Sequence, residues 1–158
     1  KVSLDPNVRP SLIAEPDVYR QRIKRLMTKV DILKLSDEDL LWLFNDSVDE
    51  SSALSELRAI VNADILILTR GSKGSLIWHY DNWYEAPAYS VGKLSDTVGA
   101  GDTFMASVLG WLTKNENLKR LSVIELEEKK DLQNYAGKAA SLNCEKQGCN
   151  PPWESELF

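Results

Sequence analysis

Asp96-Thr97-Val98-Gly99-Ala100-Gly101-Asp102-Thr103-Phe104 is the stretch whose reading decides the fold. Two glycines and an alanine stand between two aspartates, and the residues that follow place Phe104, Val108 and Leu112 at helical spacing, with Met105 and Leu109 beside them. The pattern predicts a glycine turn opening a helix. The free N–H groups of such a turn, together with the positive end of the helix dipole, can receive an anion, and Gly99 and Gly101 allow close backbone approach. With phosphate as the anion, Asp102 in the first helical turn could accept a proton from an attacking hydroxyl, which points to phosphoryl transfer. A tight turn without a ligand, with Asp102 as a favourable charge at a helix start, is the plainer alternative.

Outward from this turn, the 158 residues suffice for one domain with a modest core. A net charge of −5 offers no basic footprint for nucleic acid. No apolar run approaches the roughly 20 residues of a membrane span, and with no signal peptide at the start the expectation is a cytoplasmic protein. Cys144, Cys149 and the single His79 make neither a disulfide framework nor a zinc set. The triplet Asn45-Asp46-Ser47 matches a glycosylation acceptor but lacks a secretion signal. Lys1-Val2-Ser3-Leu4 reads as a strand entered midway, so a piece of a longer protein is expected.

In chain order, residues 2–5 read as a strand end, and Pro6 and Pro10 delay any helix until Pro16 or Asp17. Residues 17–30 form an amphipathic surface helix with Val18, Ile23, Leu26, Met27 and Val30 near one face. A strand over 31–35 leads to Ser36-Asp37-Glu38-Asp39, which caps a helix over 37–45. A third helix, 51–61, turns Leu54, Leu57 and Ile60-Val61 inward and precedes an apolar strand over 63–69. The glycines of Thr69-Arg70-Gly71-Ser72-Lys73-Gly74-Ser75 connect to a strand over 76–80, and the spacing is not that of a Walker A loop. Pro87 marks 83–91 as an edge strand. Residues 115–121 read as a loop, and 124–144 as a helix whose Ala136, Ala139 and Ala140 admit another element or a flat ligand.

Several separated motifs resemble the ribokinase-like (pfkB) carbohydrate kinase family, closest to its fructokinase-like members. They are the signature at 96–104, which departs from the family's pattern at Val98, then Asp5-Pro6-Asn7-Val8-Arg9-Pro10, Val30-Asp31-Ile32-Leu33-Lys34-Leu35-Ser36, the Thr69–Gly74 loop, and Cys144 to Pro152. The resemblance covers nearly the whole chain. It implies the C-terminal half of a Rossmann-like, three-layer α/β sandwich with a mostly parallel sheet, the sugar-binding N-terminal half and lid being absent. Within it Asp102 would be the base, and Gly99, Ala100 and Gly101 the anion hole. Arg9 would be a cation near the phosphoryl group, in a loop whose Asp5 and Asn7 face the substrate. Thr69, Gly71, Gly74, Gly137 and Cys149 would border ATP, although Gly137 stands where relatives often place an asparagine. Asp96 would help to position a monovalent cation, commonly potassium. Asp39, with Ser36, replaces a Glu and an Asn that help organise magnesium. The implied partners are ATP, Mg2+ and a sugar, fructose first and another ketose or a sugar acid behind it, with a homodimer of the full-length protein also admitted. Two other readings stay open: a nucleotide-binding but inactive module, and an α/β interaction domain whose glycine turns are structural.

Overall fold

The computed structural model describes residues 1–44 and 49–157, so the end of the predicted 37–45 helix and the Asn45-Asp46-Ser47 triplet lie outside the described residues. The chain divides into two compact units, Lys1–Leu68 and Thr69–Phe158. In the first, β1 (Ser3–Leu4), α1 (Pro16–Met27), β2 (Ile32–Ser36), α2 (Asp37–Leu43), α3 (Glu50–Ile60) and β3 (Ile65–Thr69, its last residue opening the second unit) alternate strand with helix. The strands lie in the order β1-β2-β3, and β1 pairs parallel with β2 through Ser3 opposite Ile32 and Leu4 opposite Leu33.

Local chemistry sets the boundaries. Pro16 sits in the first turn of α1, where its missing N–H costs nothing, and the Thr28 hydroxyl returns to the Arg25 carbonyl at 3.0 Å to close the far end. Helix α1 therefore stops three residues short of the predicted end. Ile23 and Met27 are buried, but Val18 and Leu26 are exposed, so the buried stripe is narrower than the sequence suggests. In α3, Leu54 and Leu57 face inward as expected, while Ile60 lies on the exposed side. Ile32, Leu33 and Leu35 of β2 and Ile65 to Leu68 of β3 are all buried, the continuous apolar pattern of strands covered on both faces.

The second unit holds β4 (Ser75–His79), β5 (Asn82–Ala86), α4 (Ala100–Lys114) and α5 (Leu126–Cys144). Strands β4 and β5 form an antiparallel hairpin from Ser75 opposite Ala86 to His79 opposite Asn82. Its two-residue turn puts Tyr80 and Asp81 both at positive φ, the backbone that matches strand twist. The predicted 83–91 strand ends at Ala86 because Pro87 cannot donate to a ladder. The predicted loop at 115–121 is partly ordered into 3-10 turns at Asn117–Lys119 and Leu121–Val123. Buried Val108 and Leu112 of α4 and Leu132, Ala136 and Ala139 of α5 build the core of this unit.

Candidate active site

The glycine turn forms as predicted. Gly99 is the N-cap of α4 at φ 77°, and Ala100, Gly101 and Asp102 fill the first turn. No side chain caps this end. The Ala100 N–H is already held by the Thr97 carbonyl at 3.2 Å, and Gly101 and Asp102 follow at exposed positions where a helix provides no internal acceptor for its N–H groups. Asp96 braces the turn. One carboxylate oxygen accepts the Val98 N–H and the other the Gly148 N–H, each at 3.0 Å. Those two bonds hold the Asp96 carboxyl below its usual range, so it stays ionised near neutral pH.

The end of α5 completes the turn. The Cys144 carbonyl accepts N–H groups from both Ser95 and Asp96, at 2.8 and 3.2 Å. Fully buried Asn143 donates to the Val98 carbonyl at 2.8 Å and accepts the Asn150 N–H at 2.9 Å, tying the signature to the C-terminal loop. Cys149 packs directly on Gly99, where an added Cβ would lie 2.8 Å from the Cys149 Cβ and closer still to its sulfur. Both cysteines are free, Cys144 half-buried and Cys149 exposed. Burial, with Asp96 as a lesser cause, pushes the Cys144 thiol up.

Beside the turn lies a cleft of about 1060 Å³. Thr69, Gly71, Gly74 and Gly137 line it together with Ala100 and Gly101, so the predicted nucleotide residues and the start of α4 share one cavity. Cys149 is not among the lining residues and meets the turn at Gly99. The two loop glycines differ. Gly71, at φ 53°, has open space where a side chain would stand. Gly74, at φ 87°, presses against the backbone of Ala86 to Ala88, where an added Cβ would lie 2.7 Å from the Ala88 nitrogen. Its need for glycine is therefore steric. The space above Gly137 is also open, which leaves that face of α5 flat. Gln133, buried on the same helix, donates to the Ser75 carbonyl at 2.7 Å and to its hydroxyl at 2.9 Å, fixing α5 against β4.

The first unit carries the other predicted residues. Asp5 is paired with buried Lys34 at 2.9 Å. Asn7 adopts φ 44°, and Arg9, exposed, donates to the Val8 carbonyl at 3.0 Å. Asp39 is 5% exposed and does not stand as an open ligand, since one oxygen accepts the Val8 N–H at 2.8 Å and the other the Ser36 N–H at 3.3 Å. Ser36 in turn caps α2 by accepting the Asp39 N–H at 3.0 Å. Among the described residues no three His, Cys, Asp or Glu side chains gather to hold a metal. Both Asp96 oxygens are likewise engaged by backbone N–H groups, so its place here is that of a brace for the turn.

Lys34 and Asn143 escaped the sequence reading. A lysine inside Ile32-Leu33-Lys34-Leu35 must bury its charge or break the strand, which signals an acidic partner without naming it. Asn143 offers no such signal.

Three comparisons bear on this arrangement. The family described as pfkB family carbohydrate kinase matches residues 1–156. A fructokinase of Rhizobium leguminosarum bv. trifolii is 37% identical over 127 residues, 80% of this chain and 38% of the relative. A probable fructokinase-2 of Arabidopsis thaliana is 30% identical over 152 residues, 95% of this chain and 44% of the relative. The chain thus spans less than half the length of these relatives. Among solved structures, aminoimidazole riboside kinase from Salmonella enterica, complexed with aminoimidazole riboside and an ATP analog, superposes with TM-score 0.83 at 23% identity, over 98% of this chain and 50% of that one. Fructokinase from Vibrio cholerae O395, in a form binding fructose, ADP and calcium ion, gives 0.82 at 23%, over 98% and 48%. These likenesses establish a shared ribokinase-like fold.

Proposed function

The chain belongs to the pfkB family of carbohydrate kinases, and on that premise we propose that it carries the nucleotide site and the catalytic base of an ATP-dependent sugar kinase acting on a primary hydroxyl, fructose being the first choice of sugar. The observation that carries this reading is the single cleft lined by Thr69, Gly71 and Gly137 as well as by Ala100 and Gly101. A nucleotide laid along Gly71 and the flat face at Gly137 would direct its phosphates toward the uncapped start of α4.

In this reading Asp102 accepts the hydroxyl proton as the sugar oxygen attacks the γ-phosphorus and ADP leaves. The N–H of Gly101 and the dipole of α4, fifteen residues long, stabilise the charge on the transferring group. Ala100 contributes through its small size, because its N–H is engaged by Thr97. Magnesium, when bound, would neutralise phosphate charge, and Asp96, through the loop it braces at Val98 and Gly148, would help to position a neighbouring monovalent cation. Asp5 and Asn7 belong to the acceptor side, and Arg9 would be a cation near the transferring phosphoryl group. The sugar-binding half and lid of the kinase would come from chain beyond these residues, in a cytoplasmic protein for which a homodimer of the full-length chain is an admitted assembly.

The test is ATP turnover by the full open reading frame, beside this segment, with fructose and a panel of other ketoses and sugar acids. Turnover by the full-length protein should fall by about 10²–10⁴-fold in Asp102→Asn, the range of a lost general base, with ATP binding retained. ATP binding without turnover of any sugar would replace this reading by an inactive nucleotide-binding module. Absence of stabilisation by ATP would leave only the structural reading of the glycine turns.

A further inference from the structure

We infer that Asp39 is a positioning residue for the loop at 5–9, acting through Val8 on Arg9, and not a group that organises magnesium. Four observations lead there. First, the loop is poor in its own means of support: Pro6 and Pro10 have no N–H, so only Asn7, Val8 and Arg9 can donate between them. Second, Asn7 holds a left-handed φ of 44°, a conformation asparagine accepts more readily than most residues, so the chain turns sharply just before Val8. Third, the Val8 N–H is buried and ends on the Asp39 carboxylate at 2.8 Å, a charge-assisted bond between positions 31 residues apart. Fourth, the Val8 carbonyl accepts from the Arg9 guanidinium at 3.0 Å. One residue is therefore gripped at its nitrogen by Asp39 and in turn aims the arginine from its oxygen.

The same geometry argues against a metal role. Both Asp39 oxygens face backbone N–H groups, those of Val8 and Ser36, in a pocket that leaves the residue 5% exposed. Magnesium needs near-octahedral space for oxygens and usually several waters. Helix α2 has only seven residues and its first turn is already satisfied by the Ser36–Asp39 capping box. Lys34 supplies the second anchor by its pair with Asp5 at the start of the loop.

The kinetic arm of the test rests on the kinase reading, and the exchange arm does not. In the full-length protein, hydrogen–deuterium exchange is followed on a peptide covering 5–12, in which Pro6 and Pro10 leave few amides to resolve. Asp39→Ala should speed exchange of the Val8 amide about tenfold or more, the equilibrium worth of a hydrogen bond to a charged group. Asp49→Ala, which removes the N-cap of α3 that accepts the Ser52 N–H, should leave that amide unchanged and serves as the control for general loss of a cap. If Asp39→Ala fails to fold, Asp39→Asn keeps one acceptor, turns an amide nitrogen toward the other N–H and should give an intermediate exchange rate. In sugar phosphorylation, Asp39→Ala and Arg9→Ala should lower kcat to a similar degree. The double variant should fall within about twofold of the worse single one, because the two act as one unit. The magnesium concentration for half-activation should stay within about twofold of wild type.

Multiplied losses in the double variant, or a tenfold rise in the magnesium requirement, would overturn the inference. Unchanged exchange at Val8 would overturn it as well. An inactive wild type would sink the kinase reading alone, with the Val8 exchange still deciding whether Asp39 holds the loop.

Discussion

The loop at 5–9 and the turn at 96–101 are both short and both predicted to meet the reacting groups, yet they are held in different ways. The first is held by buried charge: Lys34 on Asp5 and Asp39 on Val8. The second is held mainly by shape and by backbone, with Gly99 under Cys149, Asn143 linking Val98 to Asn150, and the Cys144 carbonyl receiving two N–H groups. Charge tolerates small steric changes and fails when a partner is removed. Shape tolerates the loss of a charge and fails when a methyl group is added.

The largest effect should follow removal of the charge in β2 that anchors the first loop. Lys34→Met leaves Asp5 in a poorly hydrated place without its ammonium and should cost about 2–4 kcal/mol, read from the denaturant midpoint. A loss below about 1 kcal/mol, the worth of a surface pair, would erase the contrast. Next comes Gly99→Ala, with both a positive φ and a crowded Cβ, for about 2–3 kcal/mol. Adding Cys149→Gly should restore the steric part and leave the backbone part, so that the two changes are not additive in thermal or chemical unfolding. Gly71→Ala isolates that backbone part, because nothing lies near its Cβ position, and should cost about 1–2 kcal/mol.

The smallest effect concerns pH. The Val98 and Gly148 N–H groups lower the Asp96 pKa from 3.8 in the folded state, so the unfolded chain binds the proton more readily. The stability that Asp96 contributes is therefore complete above about pH 3.8 and is lost as the pH falls below it through the lowered folded value. Asp96→Asn should flatten the fall in melting temperature on acidification below pH 4. An equally steep fall in the variant would assign the acid response to other carboxylates.

Much of this was legible in the sequence, for reasons that can be stated residue by residue. The α4 helix and its glycine start follow from local periodicity and from the backbone needs of Gly99, and the Ser36–Asp39 cap follows from a three-residue spacing. Thr69, Gly71 and Gly137 were expected at a nucleotide and share a cleft. What stayed hidden depends on pairs distant in sequence. Asp39 reads in the sequence as part of a capping run and, by resemblance, as a group near magnesium; it does complete the Ser36 capping box, but its bond to Val8 spans 31 positions. Gly74 lines the same cleft, but the backbone around Pro87 that presses on it, a contact between distant residues, is not visible in the sequence. The outward turn of Val18 and Leu26 in α1 was hidden for the same reason: periodicity defines a stripe, and only the packed neighbours set its width.

The bracing of the glycine turn also has an order in time. The groups that hold Val98 and Asp96 lie 45 and 52 residues further along the chain, at Asn143 and Gly148. At a synthesis rate of roughly 5–20 residues per second, several seconds separate the making of the turn from the making of its supports. During that interval Gly99 has neither Cys149 over it nor the Asn143 link behind it, and the turn lacks the contacts that fix it. Its final geometry therefore comes only after α5 has been made, and the beginning of α4 waits for the end of α5.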